Sequence, residues 1–190
     1  ERRSLAGFDT SHTWFGNLSG LTSTTRLGAQ GRFDRLSPVG LYATAARSVL
    51  SSTREDRIGQ GSLGLFVENT LQWHDKARSI VGLRADQARF SVDALSNAAN
   101  SGRSSAHLFS PKLSLIAGPW ARTEFFFNAG RGFHSNDGRG TVTRVGPRTG
   151  ETIAPVNGLV GTRGLEVGLR THFIDGLQST LALWQLDIGS

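Results

Sequence analysis

The sequence predicts an all-β fold of about eight antiparallel strands in up-and-down order. Three observations carry this. Apolar residues recur with a period of two, not 3.6. The alternating segments are long, and the connections between them switch between tight turns and long polar stretches. Composition agrees: 24 of 190 residues are glycine and only 37% are apolar, where glycine usually makes up roughly 7%. Such a chain does not suit a helical bundle with a thick core.

A weaker strand falls near residues 12–20. In 26–34, Leu27, Ala29 and Phe33 alternate with Arg26, Gln30, Arg32 and Asp34. Residues 41–51, rich in alanine, serine and threonine, read as a further strand. Residues 57–73 follow, with Leu63, Leu65, Val67, Leu71 and Trp73 on one face and Gly64, Glu68, Thr70 and Gln72 on the other. Residues 77–93 repeat the pattern, with Val81 and Leu83 against Arg84 and Asp86. Residues 109–118 set Phe109, Leu113 and Leu115 against Ser110, Lys112 and Ser114. Residues 123–133 carry Phe125, Phe126 and Phe127 in a row, and 164–171 set Leu165, Val167 and Leu169 against Glu166 and Arg170. In 177–188 the apolar side shifts from Leu181 and Leu183 to Trp184, Leu186 and Ile188, the signature of a bulge.

Tight turns are expected at 74–76, 118–122 and 174–176, and long polar connections at 94–107 and 134–158. Short turns at one end and long loops at the other are the mark of a transmembrane β-barrel. Trp73, Trp120 and Phe173 flank the tight turns, where an interfacial aromatic girdle belongs. A soluble sandwich also gives period two. Strand length separates the readings: 57–73 and 77–93 exceed the roughly 9–11 tilted residues that cross a bilayer, whereas soluble strands run to about five or six. The polar faces carry glycine, threonine, serine, glutamine, arginine and glutamate, as a wet lumen would. The expected fold is therefore part of a transmembrane β-barrel or an open curved sheet, one domain over residues 1–190. No run approaches the roughly 18 apolar residues of a spanning helix, and residues 1–20 hold no signal-peptide core.

Charge and composition narrow the function classes. The formal charge is +6, from 19 arginines and two lysines against 15 acidic residues. The arginines are scattered, so no nucleic-acid partner is expected; a soluble nucleic-acid-binding β-domain would be retained on DNA in a salt-sensitive way. The absence of cysteine rules out disulfides and thiolate chemistry. With no methionine and an opening at Glu1, the chain is expected to be a processed product or an excised fragment.

Several stretches resemble the barrel portion of TonB-dependent outer-membrane receptors. The most specific is Phe109–Gly140, FSPKLSLIAGPWARTEFFFNAGRGFHSNDGRG. A second is Thr162–Asp187, with Arg-Gly-x-Glu-x-Gly at 163–168, and a third is Val39–Asp86, containing GLYATAAR and LFVENTLQW. The resemblance implies a barrel of about 22 strands closed by a plug, in the outer membrane of a Gram-negative bacterium. It also implies energy-coupled import of a scarce ligand such as a ferric siderophore, cobalamin, haem or a saccharide, with TonB as partner. The plug, a TonB-contacting box and a closing strand are not found in the sequence, so the chain is expected to be a piece of barrel wall, its other partners being membrane lipid, the plug and the remaining strands. The rival is a self-contained eight-stranded barrel with a structural or adhesion role, which Gly64, Gly82, Gly118, Gly130 and Gly168 oppose because a narrow lumen needs bulk.

The chemistry-bearing residues are few. Gly59–Gly64 fits G-x-G-x-x-G, but strand alternation follows where a dinucleotide site needs a helix. His134, Asn136, Asp137 and Arg139 gather where a strand enters the longest loop; they could grip a ligand at the outer mouth, or simply cap their own backbone. Glu68, Arg84, Asp86, Glu124, Glu166 and Arg170 are expected to face the lumen, either lining a polar path or pairing across strands. Nothing places Glu68 and Glu124 at glycosidase separations, and no nucleophile–base arrangement emerges. No enzyme, cofactor or metal site is expected.

Overall fold

A computed structural model of the chain describes residues 2–189. Eight strands form one sheet in sequential order: β1 (Arg2–Leu18), β2 (Leu21–Ala45), β3 (Ser48–His74), β4 (Ala77–Ala94), β5 (Gly102–Trp120), β6 (Thr123–Ser135), β7 (Leu159–Thr171) and β8 (Ser179–Ile188). Every neighbouring pair is antiparallel. The sheet is open: β1 and β8 are its two edges.

The register carries the alternation of the sequence across all eight strands. Leu27, Val67 and Leu83 lie side by side on β2, β3 and β4. Leu115, Phe127, Val167 and Leu183 form one row across β5 to β8 and are 45%, 38%, 55% and 72% exposed. A row of large apolar side chains left open to this extent needs an apolar solvent. We call this the apolar face.

The two ends differ as a barrel's do. At one end lie the turns at Ser19-Gly20, Asp75-Lys76 and Ala121-Arg122 and the short connection 172–178. At the other lie the 95–101 loop, the 136–158 loop and the tip of the β2–β3 hairpin. That hairpin is 25 and 27 residues long on its two sides, roughly 80–90 Å of strand at about 3.3 Å per residue, far more than a bilayer requires. It projects beyond the apolar band.

Four expectations are corrected. Residues 41–51 are not a strand of their own but the tip of the β2–β3 hairpin, turning at Ala46 (φ 46°) and Arg47 (φ 67°). A two-residue hairpin turn demands positive φ, ordinarily supplied by glycine or asparagine; here alanine and arginine supply it without a sequence signal. The first strand runs over Arg2–Leu18, not near 12–20, and turns at Ser19-Gly20. The 94–107 connection shrinks, because Gly102–His107 join β5 and pair with β4; outside lipid a strand needs no oily face, so polar alternation hid it. Finally, β8 has no bulge. It pairs with β7 without a register shift, and Trp184, Leu186 and Ile188 simply occupy the face opposite Leu181 and Leu183.

The small packed core lies at the long-loop end. Ile58, Val92 and Val142 are 4%, 1% and 6% exposed, with Leu36 and Val39 against them. Val142 comes from the 136–158 loop, so this loop folds back over the polar face of β3 and β4.

Candidate functional site

Charged and amide side chains form a chain of pairs along the face opposite the apolar one. Its members come from alternate residues of neighbouring strands, which is why adjacent strands bring them together. Gln30 donates to Asp9 at 2.7 Å, and Arg84 donates to Gln30 at 2.7 Å and to Asp86 at 2.7 Å. Arg3 and Arg32 both bind Asp34, Arg3 through Nε at 2.9 Å. Lys112 pairs with Glu68. Arg78 pairs with Glu124 at 3.0 Å, and Asn128 donates to Glu166 at 2.9 Å. Arg170 stands opposite Glu124 in the β6–β7 register.

All six charged residues singled out from the sequence thus share one face, and five of them have a named partner. The partners were not legible: Arg78, Lys112 and Asn128 needed the strand register to be seen. Gly64 and Gly82 make room for this chemistry. A Cβ on Gly64 would stand 2.2 Å from Arg84 Nη2, and one on Gly82 2.5 Å from Lys112 Cε.

The His134, Asn136, Asp137 and Arg139 group divides. Arg139 binds Asp137 at 2.5 Å, and the Arg139 backbone N–H donates to Asp137 Oδ1 at 2.8 Å, an Asx turn. Asn136 turns instead to the Asn157 carbonyl at 2.8 Å, closing the neck of the loop. His134 stands on β6 opposite Val160, exposed. The Arg139 guanidinium holds the Asp137 carboxyl below its usual range. Since the folded-state value is depressed, this contact stabilises the loop above the ordinary carboxylate range and is lost as pH falls through the depressed value. Asp137 is half exposed, so the effect is small. Raising acidity should loosen the loop in wild type but not in Asp137→Asn, as read by loop proteolysis at pH 7 and pH 3.

The residue that ties the mouth together was missed in the sequence. Asn100, 3% exposed, sits in a single 3₁₀ turn, Ala98–Asn100, between β4 and β5. Its Oδ1 accepts from the backbone N–H groups of Arg144 and Val145, each at 2.9 Å, and its Nδ2 donates to the Val145 carbonyl at 2.9 Å. Ser104 adds a bond to Thr141 at 2.7 Å. One side chain therefore fastens the long loop to its neighbour. Asn100→Ala would leave three backbone groups of the loop unpaired and is expected to cost about 1–3 kcal/mol, seen as faster hydrogen exchange at residues 138–146 with the strands unaffected.

This arrangement can bind and position polar groups. It offers no nucleophile–base pair, and among the described residues no group of three or more His, Asp or Glu side chains could hold a metal ion.

A wall of long sequential strands, oily on one face and ion-paired on the other, with short turns at one end and a loop folded inward at the other, defines a transmembrane β-barrel wall. Its family is specific: the chain belongs to the TonB dependent receptor-like β-barrel family, whose model matches residues 2–189. No curated protein matches the chain. Among solved structures, the wall is similar to the ferric citrate transporter FecA in its unliganded form, at 12% identity and a TM-score of 0.75, covering 98% of this chain and 27% of that one. It is also similar to the ferric-catecholate import receptor Fiu from E. coli K12, at 11% identity and a TM-score of 0.68, covering 98% and 31%. A third is the copper transporter OprC, at 18% identity and a TM-score of 0.66, covering 96% and 30%. At these identities the likeness is one of fold. The chain spans less than a third of each of these proteins.

Proposed function

We propose that this chain is a wall segment of an outer-membrane receptor that imports a scarce ligand by TonB-dependent energy coupling. The observation that carries the reading is the two-faced sheet: rows of large apolar side chains standing open on one side, ion pairs and hydrogen-bonded amides on the other, on strands long enough to cross a bilayer. The apolar face meets lipid, and the paired face looks into a wet lumen that a plug fills. Glu68, Arg84, Asp86, Glu124, Glu166 and Arg170 then belong to the lumen wall, and the loop holding Asp137 and Arg139 belongs to the outer mouth, with Asn136 and His134 at its base. Structures of like fold include transporters of ferric citrate, ferric catecholates and copper, which supports a ferric siderophore as the ligand we propose, with cobalamin and haem as further candidates. TonB and the plug are the partners this requires. The unpaired edges β1 and β8 favour a segment of a larger barrel over a closed eight-stranded one.

The test is to express the intact protein in a Gram-negative host, fractionate the membranes and measure uptake of labelled ferric siderophores with and without TonB. Outer-membrane recovery and uptake that requires TonB are expected. Recovery in a detergent-free soluble fraction would overturn the membrane reading; uptake that persists without TonB would overturn the coupling.

A further inference from the structure

Three large apolar side chains stand on the side of the sheet that faces away from lipid. On β8, Trp184, Leu186 and Ile188 oppose Glu166, Gly164 and Thr162 of β7, so they share the face of the ion pairs. They are 72%, 49% and 61% exposed. The lipid side of the same stretch carries Gln185 and Asp187 instead. An apolar patch left open on a wet face marks a place where something binds.

The register shows what lies beside it. Leu186 opposes Gly164, Gly164 opposes Gly130, and Gly130 opposes Lys112. The row therefore runs from an apolar wall on β8 to an ammonium on β5, three strand spacings or about 14 Å away, over a floor without side chains. One step toward the tight turns, Trp184, Glu166, Asn128 and Ser114 form the next row. These rows bound a slot of about 520 Å³, within the usual size of a small-molecule site. Its floor has room above it: the nearest atom to a Cβ on Gly164 would be Leu186 Cδ1, at 3.8 Å.

Charge and hydrogen-bonding capacity select the ligand. Lys112 is neutralised by Glu68, and Arg131, next to Gly130 in the chain, lies on the other face by strand parity. Glu166 accepts from Asn128 and makes no ion pair among the described residues. The slot is net negative and disfavours a phosphate, a carboxylate or an anionic chelate. The Trp184 N–H, the Ser114 and Thr162 hydroxyls, the Asn128 carbonyl and the Glu166 carboxylate set donors and acceptors side by side. A neutral ring with hydroxyls on its rim and C–H groups on its faces matches both halves of the slot. Its face lies against Trp184 and Leu186, and its hydroxyls meet the polar groups.

We infer that the slot between Trp184 and Lys112, floored by Gly130 and Gly164, is a binding site for a neutral saccharide. It is a second ligand site, separate from any chelate site at the outer mouth. It rests on the reading above only in that this face looks into water.

The intact protein is purified in a polyoxyethylene detergent, which carries no sugar, and TonB is left out. It is titrated with maltotriose, with cellotriose and, as the anionic counterpart, with trigalacturonate, and binding is read by saturation-transfer NMR. At least one neutral trisaccharide should bind with a millimolar or tighter Kd and outcompete trigalacturonate. Trp184→Ala should weaken that binding by at least about tenfold, and Gly164→Val, which fills the floor, should abolish it. Both should keep heat-modifiable electrophoretic mobility. Should Trp184→Ala misfold, Trp184→Leu, which keeps an apolar side chain there, is read in its place. Glu166→Gln should narrow the preference for the neutral sugar by about threefold. Absence of neutral-sugar binding by wild type, trigalacturonate binding as tightly, or binding retained in the folded Trp184 and Gly164 variants overturns the site. Ferric siderophore uptake that persists without TonB would sink the preceding section's coupling and leave this titration as it stands.

Discussion

Replacing Asp56 with alanine is expected to cost about 3–5 kcal/mol, the usual result of removing one partner of a buried ion pair. Asp56 is fully buried on β3 beside the Ile58–Val92–Val142 core. Arg54 Nε donates to it at 2.5 Å, and the Arg54 side chain is only 15% exposed. Arg54 Nη2 is already buried without a partner, as is Asp56 Oδ1, so the alanine variant would leave a largely buried cation without its hydrogen-bonded carboxylate, Asp137 acting on it only through longer-range attraction. Two controls separate charge from packing. Asp56→Asn keeps an acceptor and should cost less. A double Arg54→Leu, Asp56→Leu variant removes both charges and should recover most of the loss, because apolar pairs often match buried ionic ones in stability. Hydrogen exchange on the intact protein would place the opening at residues 54–60 and 92–100. Protection there unchanged in Asp56→Ala would show that the pair is solvated in solution.

Leu115→Arg is the second large effect. Leu115 sits on the apolar face in the row with Phe127, Val167 and Leu183, five residues from the end of β5 at Trp120, near the middle of a span of roughly 9–11 residues. An arginine on the lipid face at the midplane costs about 2–4 kcal/mol. Its neighbour Ser114 is at the same depth on the opposite face, in register with Asn128, which in turn opposes Glu166. Ser114→Arg would therefore meet water and a carboxylate, and the expected cost is under about 1 kcal/mol. Equilibrium unfolding of the intact receptor from lipid vesicles compares the two. Equal costs would show that the apolar face does not look at hydrocarbon.

Both predictions depend on facing, and facing was the most legible property of the chain. Period two placed Leu65, Val67, Leu83 and Leu115 on one side and Glu68, Arg84, Asp86, Glu124 and Glu166 on the other before any register was known, because in a strand the side of a residue depends only on its parity. What parity cannot supply is the neighbour. Glu68 could be assigned a face, yet Lys112 as its partner lies 44 positions away and needed the β3–β4 and β4–β5 registers together. The turn at Ala46-Arg47 was illegible for a different reason: its positive φ values are imposed by the pairing of β2 with β3 and not by residues that favour them. Asn100 was lost inside a run of serines, alanines and asparagines, all of them ordinary loop residues; nothing local distinguishes the one asparagine whose amide meets a backbone from 44 positions away.

By itself the sequence determined the secondary-structure class, the two-faced character of the sheet and the family resemblance. These follow from alternation and from motifs that are contiguous in the chain. Only the tertiary structure decided where the long loop goes, which ions pair, and which glycines floor the slot beside Trp184. Each of those depends on residues from several strands meeting at one height, and height is set by register, which antiparallel pairing fixes one ladder at a time.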